Sequence, residues 1–564
     1  MKFKDMKYER PNLDATLKRL KEIATNIKEA SSADEVDALF KESQAIESRV
    51  NTMSTLCSIR NSINTVDEFY EQEMSFFDEN GALIANESVN VTKALFDSPY
   101  LAEVKKRYPE QLFALMEINL KCIDEKIIPE LVEESKLVTE YSKLLASAKI
   151  EFDGKINNLS QMTVYANSPD RAIRKAAELK KVEFMESIED KVDEIYSKLV
   201  LVRDRMAKKM GYENYIPFGY LRLNRTDYNS SDVAKYRKQV LEEVVPIAAD
   251  IIKHQAKRIG ISDFKAYDIP LFYSDANPTP KKDKDGLVSE AKAMYHELSK
   301  ETGEFFDFMV ANEVMDLETR PNKQGGGYCT FIDDYKSPFI FSNFNGTMGD
   351  VDVLTHEAGH AFEVYTASKN IPYTSLLWPT LEACEIHSMS MEFFAHPWME
   401  KFFDTDAAKY RYKHLAEAIT FIPYGVTVDE FQHFVYENPE ATQEERKALW
   451  RSLEKKYTPW KDYDGISYYE RGNYWCRQAH IFSTAFYYID YTLAQVCAFQ
   501  FFLLDLENHE NAWNKYLDLC KLGGSLSFSN LLKAVDLKNP FVEGSLKPIM
   551  DKLKLILADL EQVN

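Results

Sequence analysis

The stretch Thr355-His-Glu-Ala-Gly-His-Ala-Phe-Glu-Val-Tyr365 decides how this chain is read. Its spacing predicts one helix that starts near Asp350 and ends before Pro372. Residues four apart share a helix face, so His356 and His360 present two imidazoles to one point in space. Such a pair binds a metal ion. Glu357 falls about 100° round the helix, beside that ion and not on it. The position suits a general base acting on water activated by the metal.

A catalytic zinc site needs a third protein ligand and an open position. The metzincin pattern requires a histidine at position 366, which holds Thr366. In aminopeptidase-like and thermolysin-like chains the ligand glutamate lies 19 or 20 positions after the second histidine; those positions hold Pro379 and Thr380. The next acids are Glu382, Glu385 and Glu392, on a segment from Leu381 to Ala395 that reads as helix. They share one stripe, and helical period does not choose among them. A ligating histidine donates its second ring N–H to an oxygen, and Asp352 and Glu392 are both placed to receive it from His356. Cys384 points about 100° away from Glu385 and reads as a buried thiol.

Outward from the motif, the 564 residues exceed one small core and predict two or three lobes. Only 19 glycines and 20 prolines occur, which predicts long helices. Residues 1–200 carry helical spacing, with a capping box at Ser32-x-x-Glu35, and read as an N-terminal helical lobe. Residues 201–564 read as the region that carries the chemistry. Tyr212 to Asn224 reads as a loop, and Asn277 to Gly286 as an exposed loop. Strands are expected at Ile269–Tyr273, Gly327–Ile332 and Pro338–Phe344, giving a small sheet just before the motif helix. A peptide can add to such a sheet edge as an extra strand. Gly325 to Gly327 permit close backbone approach, and the Tyr328-Cys329 that follows excludes a phosphate loop.

The net charge of −21 makes nucleic acid a poor partner. The seven cysteines are scattered without a CxxC pair, and the first residues lack an apolar signal segment; both predict a soluble cytoplasmic protein with reduced thiols. The apolar run Phe486 to Leu506 contains Asp490, Gln495, Gln500 and Asp505, so it reads as a buried helix and not a membrane span. On one helix, His480, Tyr487 and Tyr491 would share nearly one face, with Tyr488 offset. His387 and His433 read as packed structural residues.

Several segments together resemble the oligoendopeptidase F branch of the thimet oligopeptidase and neurolysin family. They are Asp352 to His360, Glu385-Ile-His-Ser-Met-Ser-Met-Glu392, Arg320 to Cys329, Pro338-Phe-Ile-Phe-Ser-Asn343 and Ile422-Pro-Tyr-Gly-Val-Thr-Val-Asp-Glu-Phe-Gln-His433. The resemblance runs from about Tyr212 to near Phe541. It implies a mainly α, large two-lobed peptidase with a deep central channel and a small β-sheet beside the HExxH helix. It implies that the third zinc ligand is Glu385, 25 residues past His360. It also implies one Zn2+ per chain and short unfolded peptides as substrates. A histidine and two tyrosines three residues apart bind substrate and transition state in that family; the matching residues here are His480, Tyr488 and Tyr491. The His-to-Tyr spacing is one residue shorter in this chain, which leaves Tyr487 or Tyr488 as the first tyrosine.

On this reading the chain hydrolyses internal peptide bonds, with Glu357 passing the proton of the attacking water to the leaving amine. Two other readings are weighed against it. A zinc carboxypeptidase of similar fold would need a cationic group for the substrate's terminal carboxylate. A non-catalytic peptide-binding scaffold with structural zinc would favour cysteine ligands and has no use for Glu357.

Overall fold

The computed structural model describes residues 1–563. Helices dominate, and two small sheets interrupt them. An antiparallel hairpin joins β1 (Ile150–Phe152) to β2 (Lys155–Asn157). The second sheet contains β3 (Met315–Glu318), β4 (Tyr328–Ile332) and β5 (Ser337–Phe344) in the order β3-β5-β4. β5 is central, parallel to β3 and antiparallel to β4, which leaves β4 at an edge.

The chain passes from β5 directly into the motif helix, Gly349–Asn370. Asp350 fixes that turn: its carboxylate accepts from the backbone N–H groups of Asn345 and Gly346 at 2.9 and 2.8 Å. A second helix, Leu381–Phe394, packs along the motif helix. Gly359 makes the contact possible. A β-carbon there would lie 2.7 Å from the carbonyl oxygen of His387 and 2.7 Å from the α-carbon of Ser388. Two further helices complete the frame. The long helix Ala407–Glu437 carries Pro423 in its interior, and the helix Tyr488–Glu507 runs against both it and Leu381–Phe394. Gly425 lets the first of these meet Thr492 on the second.

Tyr488–Glu507 is long and apolar enough to cross a membrane, yet most of it is buried inside the protein. Hydrophobic matching to core neighbours explains its composition. The main apolar core draws on residues from Met6 to Leu557, and a second cluster joins residues between Leu20 and Met116 to Leu376. Val200 lies in the middle of the continuous helix Glu189–Lys209.

The helical character, the strands of the second sheet near 328–332 and 337–344, and the bounds of the motif helix match the reading from sequence. Three expectations fail. Ile269–Tyr273 is not a strand; side chains satisfy its backbone instead. Gln255 donates to the carbonyls of Ile269 and Leu271, Arg258 donates to that of Phe272, and Asn277 accepts from the Phe272 N–H. Tyr212 to Asn224 is not a loop but holds the helix Tyr215–Arg222, capped by Asn214. Pro217 sits in its first turn, where no intrahelical donor is needed. The segment from His480 to Tyr491 is not one helix. It breaks between Ala479–Ser483 and Tyr488–Glu507, with Phe486 at a φ of +68°.

Because backbone atoms of the neighbouring helix face Gly359, Gly359→Ala forces the two ligand-bearing helices apart. The expected cost is about 1–3 kcal/mol of stability, read as a lower urea midpoint. An unchanged midpoint would show that this contact does not set the helix spacing.

Candidate active site

The motif helix and the helix Leu381–Phe394 place three electron-rich atoms around one point. Oε2 of Glu385 lies 3.3 Å from Nε2 of His356 and 3.4 Å from Nε2 of His360. Among the described residues this trio is the group of ligating side chains able to hold a metal ion, with all three atoms within 4.8 Å of one another. A tetrahedral ion with bonds of about 2.0–2.1 Å spaces its ligands about 3.3–3.4 Å apart. The two measured edges fit that ion. Lone pairs held this close repel unless a cation or protons stand between them.

The surroundings fix each member. Nδ1 of His356 donates to Oε1 of Glu392 at 2.5 Å, which leaves its Nε2 lone pair for the centre. Oε2 of Glu392 meets Nε2 of His414 at 2.6 Å, and His414 meets His396 at 3.0 Å. Burial favours the neutral Glu392 carboxyl, but the hydrogen bonds from His356 and His414 outweigh it and hold the group down at about 2. Burial acts the same way on Glu385, and the imidazoles of His360 and His356 hold it well below the usual carboxylate range. Tyr487 donates to Oε1 of Glu385 at 2.6 Å, and Ser388 donates to its Oε2 at 3.0 Å.

The three acids that helical period left equivalent therefore separate. Glu385 converges with the histidines, Glu392 orients His356, and Glu382 turns to Thr380, whose hydroxyl donates to it at 2.9 Å. Asp352 does not reach His356; it accepts from Tyr410 at 2.6 Å. Cys384 turns to the Pro379 carbonyl.

Glu357 stands outside the trio and is buried, which pushes its carboxyl above the usual range against the pull of His356 and His360. Its side chain faces the sheet: a β-carbon on Gly327 would lie 3.7 Å from its Oε1. The carboxylate thus borders the approach to edge strand β4.

His480, Tyr487, Tyr488 and Tyr491 cluster on the opposite wall. Their rings contact that of His480 at 5.6, 5.1 and 5.6 Å for Tyr487, Tyr488 and Tyr491. Tyr491 Oη lies 3.3 Å from His480 Nε2. Of the adjacent pair, Tyr487 reaches Glu385, while Tyr488 packs edge-on against Phe421 and Tyr424. Gln478 meets Nδ1 of His480 at 2.8 Å and accepts from Tyr424. Burial lowers the pKa of His480 and favours its neutral ring. Gln478, Tyr410 and His414 lie outside the motifs read from sequence; no spacing pattern links them to the histidines.

Two buried arginines pin this segment to the frame. Arg203 donates to the Phe482 carbonyl at 2.5 Å, to Tyr436 at 2.8 Å and to Glu134 at 2.6 Å. Arg225 donates to the Phe486 carbonyl at 2.7 Å and to Asp490 at 2.6 Å. His387 and His433 are not among the converging ligands. His387 bonds the Ala383 carbonyl, and burial lowers it to about 3; His433 meets Tyr220 and Arg237.

A helical frame with a small sheet beside a His-His-Glu cluster is the architecture of a helical metallopeptidase. The family described as Peptidase family M3 matches residues 164–550, and its N-terminal domain matches residues 3–123. A solved structure of PZ peptidase A with an inhibitor is similar over 99% of both chains, with 48% identity and a TM-score of 0.96. An oligoendopeptidase F homolog of Borreliella burgdorferi is 22% identical over 71% of this chain and 68% of its own. The fold is also that of an oligoendopeptidase F from Enterococcus faecium, with a TM-score of 0.64, 14% identity, and 98% and 97% coverage. The chain belongs to peptidase family M3, on its oligoendopeptidase F branch. It is a peptidase that acts on peptides.

Glu134 gives the arginine anchor a pH signature. Burial would raise its carboxyl, but Arg203 and Arg222 hold it at about 2, below its ordinary 4.5. A depressed folded-state pKa adds stability above pH 4.5 that is lost as pH falls toward 2. Glu134→Gln is expected to cost about 3–5 kcal/mol at pH 7. The stability difference between wild type and variant should shrink over that acid window. A difference independent of pH would contradict the ion-pair assignment.

Proposed function

We propose that the protein is a zinc-dependent oligoendopeptidase that cuts internal bonds of short unfolded peptides. One zinc ion per chain would be held by His356, His360 and Glu385. The observation that carries this reading is the convergence of those three ligand atoms at the edge lengths of a tetrahedral ion, with Glu357 beside them. Neutral imidazoles and a carboxylate with an open position suit zinc.

Bound zinc supplies a Lewis acid for the scissile carbonyl and lowers the pKa of water toward ~7. Glu357 takes the proton of the attacking water and returns it to the leaving amine. Glu392 and Tyr487 act through the ligands: the first orients His356 and the second holds Glu385. His480 and Tyr491 supply donors for the developing oxyanion, and Tyr488 forms the adjoining substrate wall. The substrate backbone pairs with the free edge of β4 past Gly327. All seven thiols are free, which supports action in a reducing compartment such as the cytoplasm.

Glu357→Gln is expected to keep one zinc per chain by elemental mass spectrometry while kcat falls by about 10²–10⁴-fold. Undiminished turnover would remove Glu357 from the chemistry. Chelation should abolish hydrolysis and stoichiometric zinc restore it. A quenched peptide blocked at both ends should be cut internally. Failure on blocked peptides with activity on free ones would favour a carboxypeptidase.

A further inference from the structure

A cavity of about 440 Å³ opens between the N-terminal helices and the catalytic region, and the peptidase chemistry above does not use it. Most of its wall comes from the helices Ala33–Ile63, Glu68–Phe96 and Glu110–Cys122. Asn224 and Ser375 close it from the catalytic side. The wall is apolar or neutral except at one point. Among the described residues that line it, Glu47 is the one ionisable side chain. Gln44 donates to its Oε2 at 3.0 Å, and Ser88 gives it a second hydrogen bond. Both donors are neutral, and among the described residues no cation pairs with the carboxylate. Burial pushes its pKa up against these two bonds. A half-buried carboxylate held only by neutral groups gains from a cation brought to it.

Room for a ligand is built in. Gly81 lines the cavity from the interior of Glu68–Phe96, where glycine weakens a helix, and a β-carbon there would meet nothing within 4 Å. The cavity also borders the substrate's path on two sides. Asn51, one turn beyond Glu47 on the same helix face, hydrogen-bonds Asp333, the residue that follows β4. The Asp334 N–H donates to Thr52 at 3.0 Å, and Arg49 pairs with Asp334 at 3.1 Å. A peptide laid along β4 from Gly327 past Ile332 therefore leads to this wall, roughly five residues from the scissile bond at about 3.3 Å each. On the other side, Ser375 donates to Gln44 at 3.5 Å. Three residues, at most about 11 Å of chain, separate Ser375 from Trp378, whose ring lies 6.4 Å from that of His360.

We propose that this cavity is a remote subsite in which Glu47 takes a primary ammonium group of the substrate, either a lysine side chain or the peptide's amino terminus. The ammonium carries three donors, which the Glu47 carboxylate and the Asn51 amide oxygen accept. The methylene stem of a lysine lies along the apolar wall of Phe77 and Leu115. Contacts this far from the reacting carbonyl are the same before and during the reaction, so they lower KM and leave kcat level. The proposal rests on the endopeptidase reading above, since it names which peptides that site favours.

The test uses quenched peptides blocked at both ends, with one lysine, or norleucine in its place, moved through every position on either side of the scissile bond. A second pair compares a free with an acetylated amino terminus. KM and kcat are measured at fixed ionic strength. Binding of the same peptides is measured by fluorescence anisotropy in the Glu357→Gln background, so the contrast is read with or without turnover. One lysine position, or the free amino terminus, should lower KM and Kd about 10-fold at level kcat. Glu47→Gln should abolish that contrast and leave the norleucine peptides unchanged. Gly81→Phe, which fills the cavity and keeps the charge, should abolish it too. Glu42→Gln, on the same helix but paired with Arg19 outside the cavity, should keep it. No contrast at any position or terminus, or one that survives Glu47→Gln, overturns the subsite. A contrast in Kd without cleavage of any peptide keeps the subsite and overturns the chemistry assigned to the metal site.

Discussion

Two imidazole nitrogens converge on one carboxylate oxygen at 3.3 and 3.4 Å. The rest of the structure serves this constraint. Gly359 removes the side chain that would hold the two ligand helices apart. Asp350 fixes the turn between β5 and the motif helix, so the sheet edge and the histidines keep one relation. Glu392 takes the outer proton of His356, and His414 and His396 back it in turn.

The opposite wall follows another logic. Here the chain leaves helix, with Phe486 in the left-handed region, and its carbonyls turn toward Arg203 and Arg225. Buried arginines with buried acids hold an irregular segment where helical hydrogen bonds are missing. That lets His480 and three tyrosines gather within ring contact although no single helix carries them.

Much of this was legible in the residues. The His356 and His360 pair needs only helical geometry, and the motif helix spans Gly349–Asn370 as its spacing requires. The choice among Glu382, Glu385 and Glu392 was not legible from period, because all three share one stripe and only packing against the motif helix separates them. Family resemblance supplied Glu385. The roles of Tyr487 and Tyr488 depend on a backbone break at Phe486, and phenylalanine gives no signal for a positive φ. Ile269–Tyr273 looks like a strand by composition; side chains of Gln255, Arg258 and Asn277 take its backbone groups, and these are distant or local partners that alternation does not reveal. Short β3 was missed because four residues are too few for their alternation to stand out, and its pairing comes from a parallel neighbour beyond β4.

The central claim is that Glu385, with His356 and His360, grips one metal ion. The direct test is the zinc stoichiometry and dissociation constant of Glu385→Ala beside wild type, measured by elemental mass spectrometry and competition with a chelator. The account predicts one tightly held zinc in wild type and a loss of affinity by at least about 100-fold in the variant. A variant that keeps one zinc at wild-type affinity would contradict it.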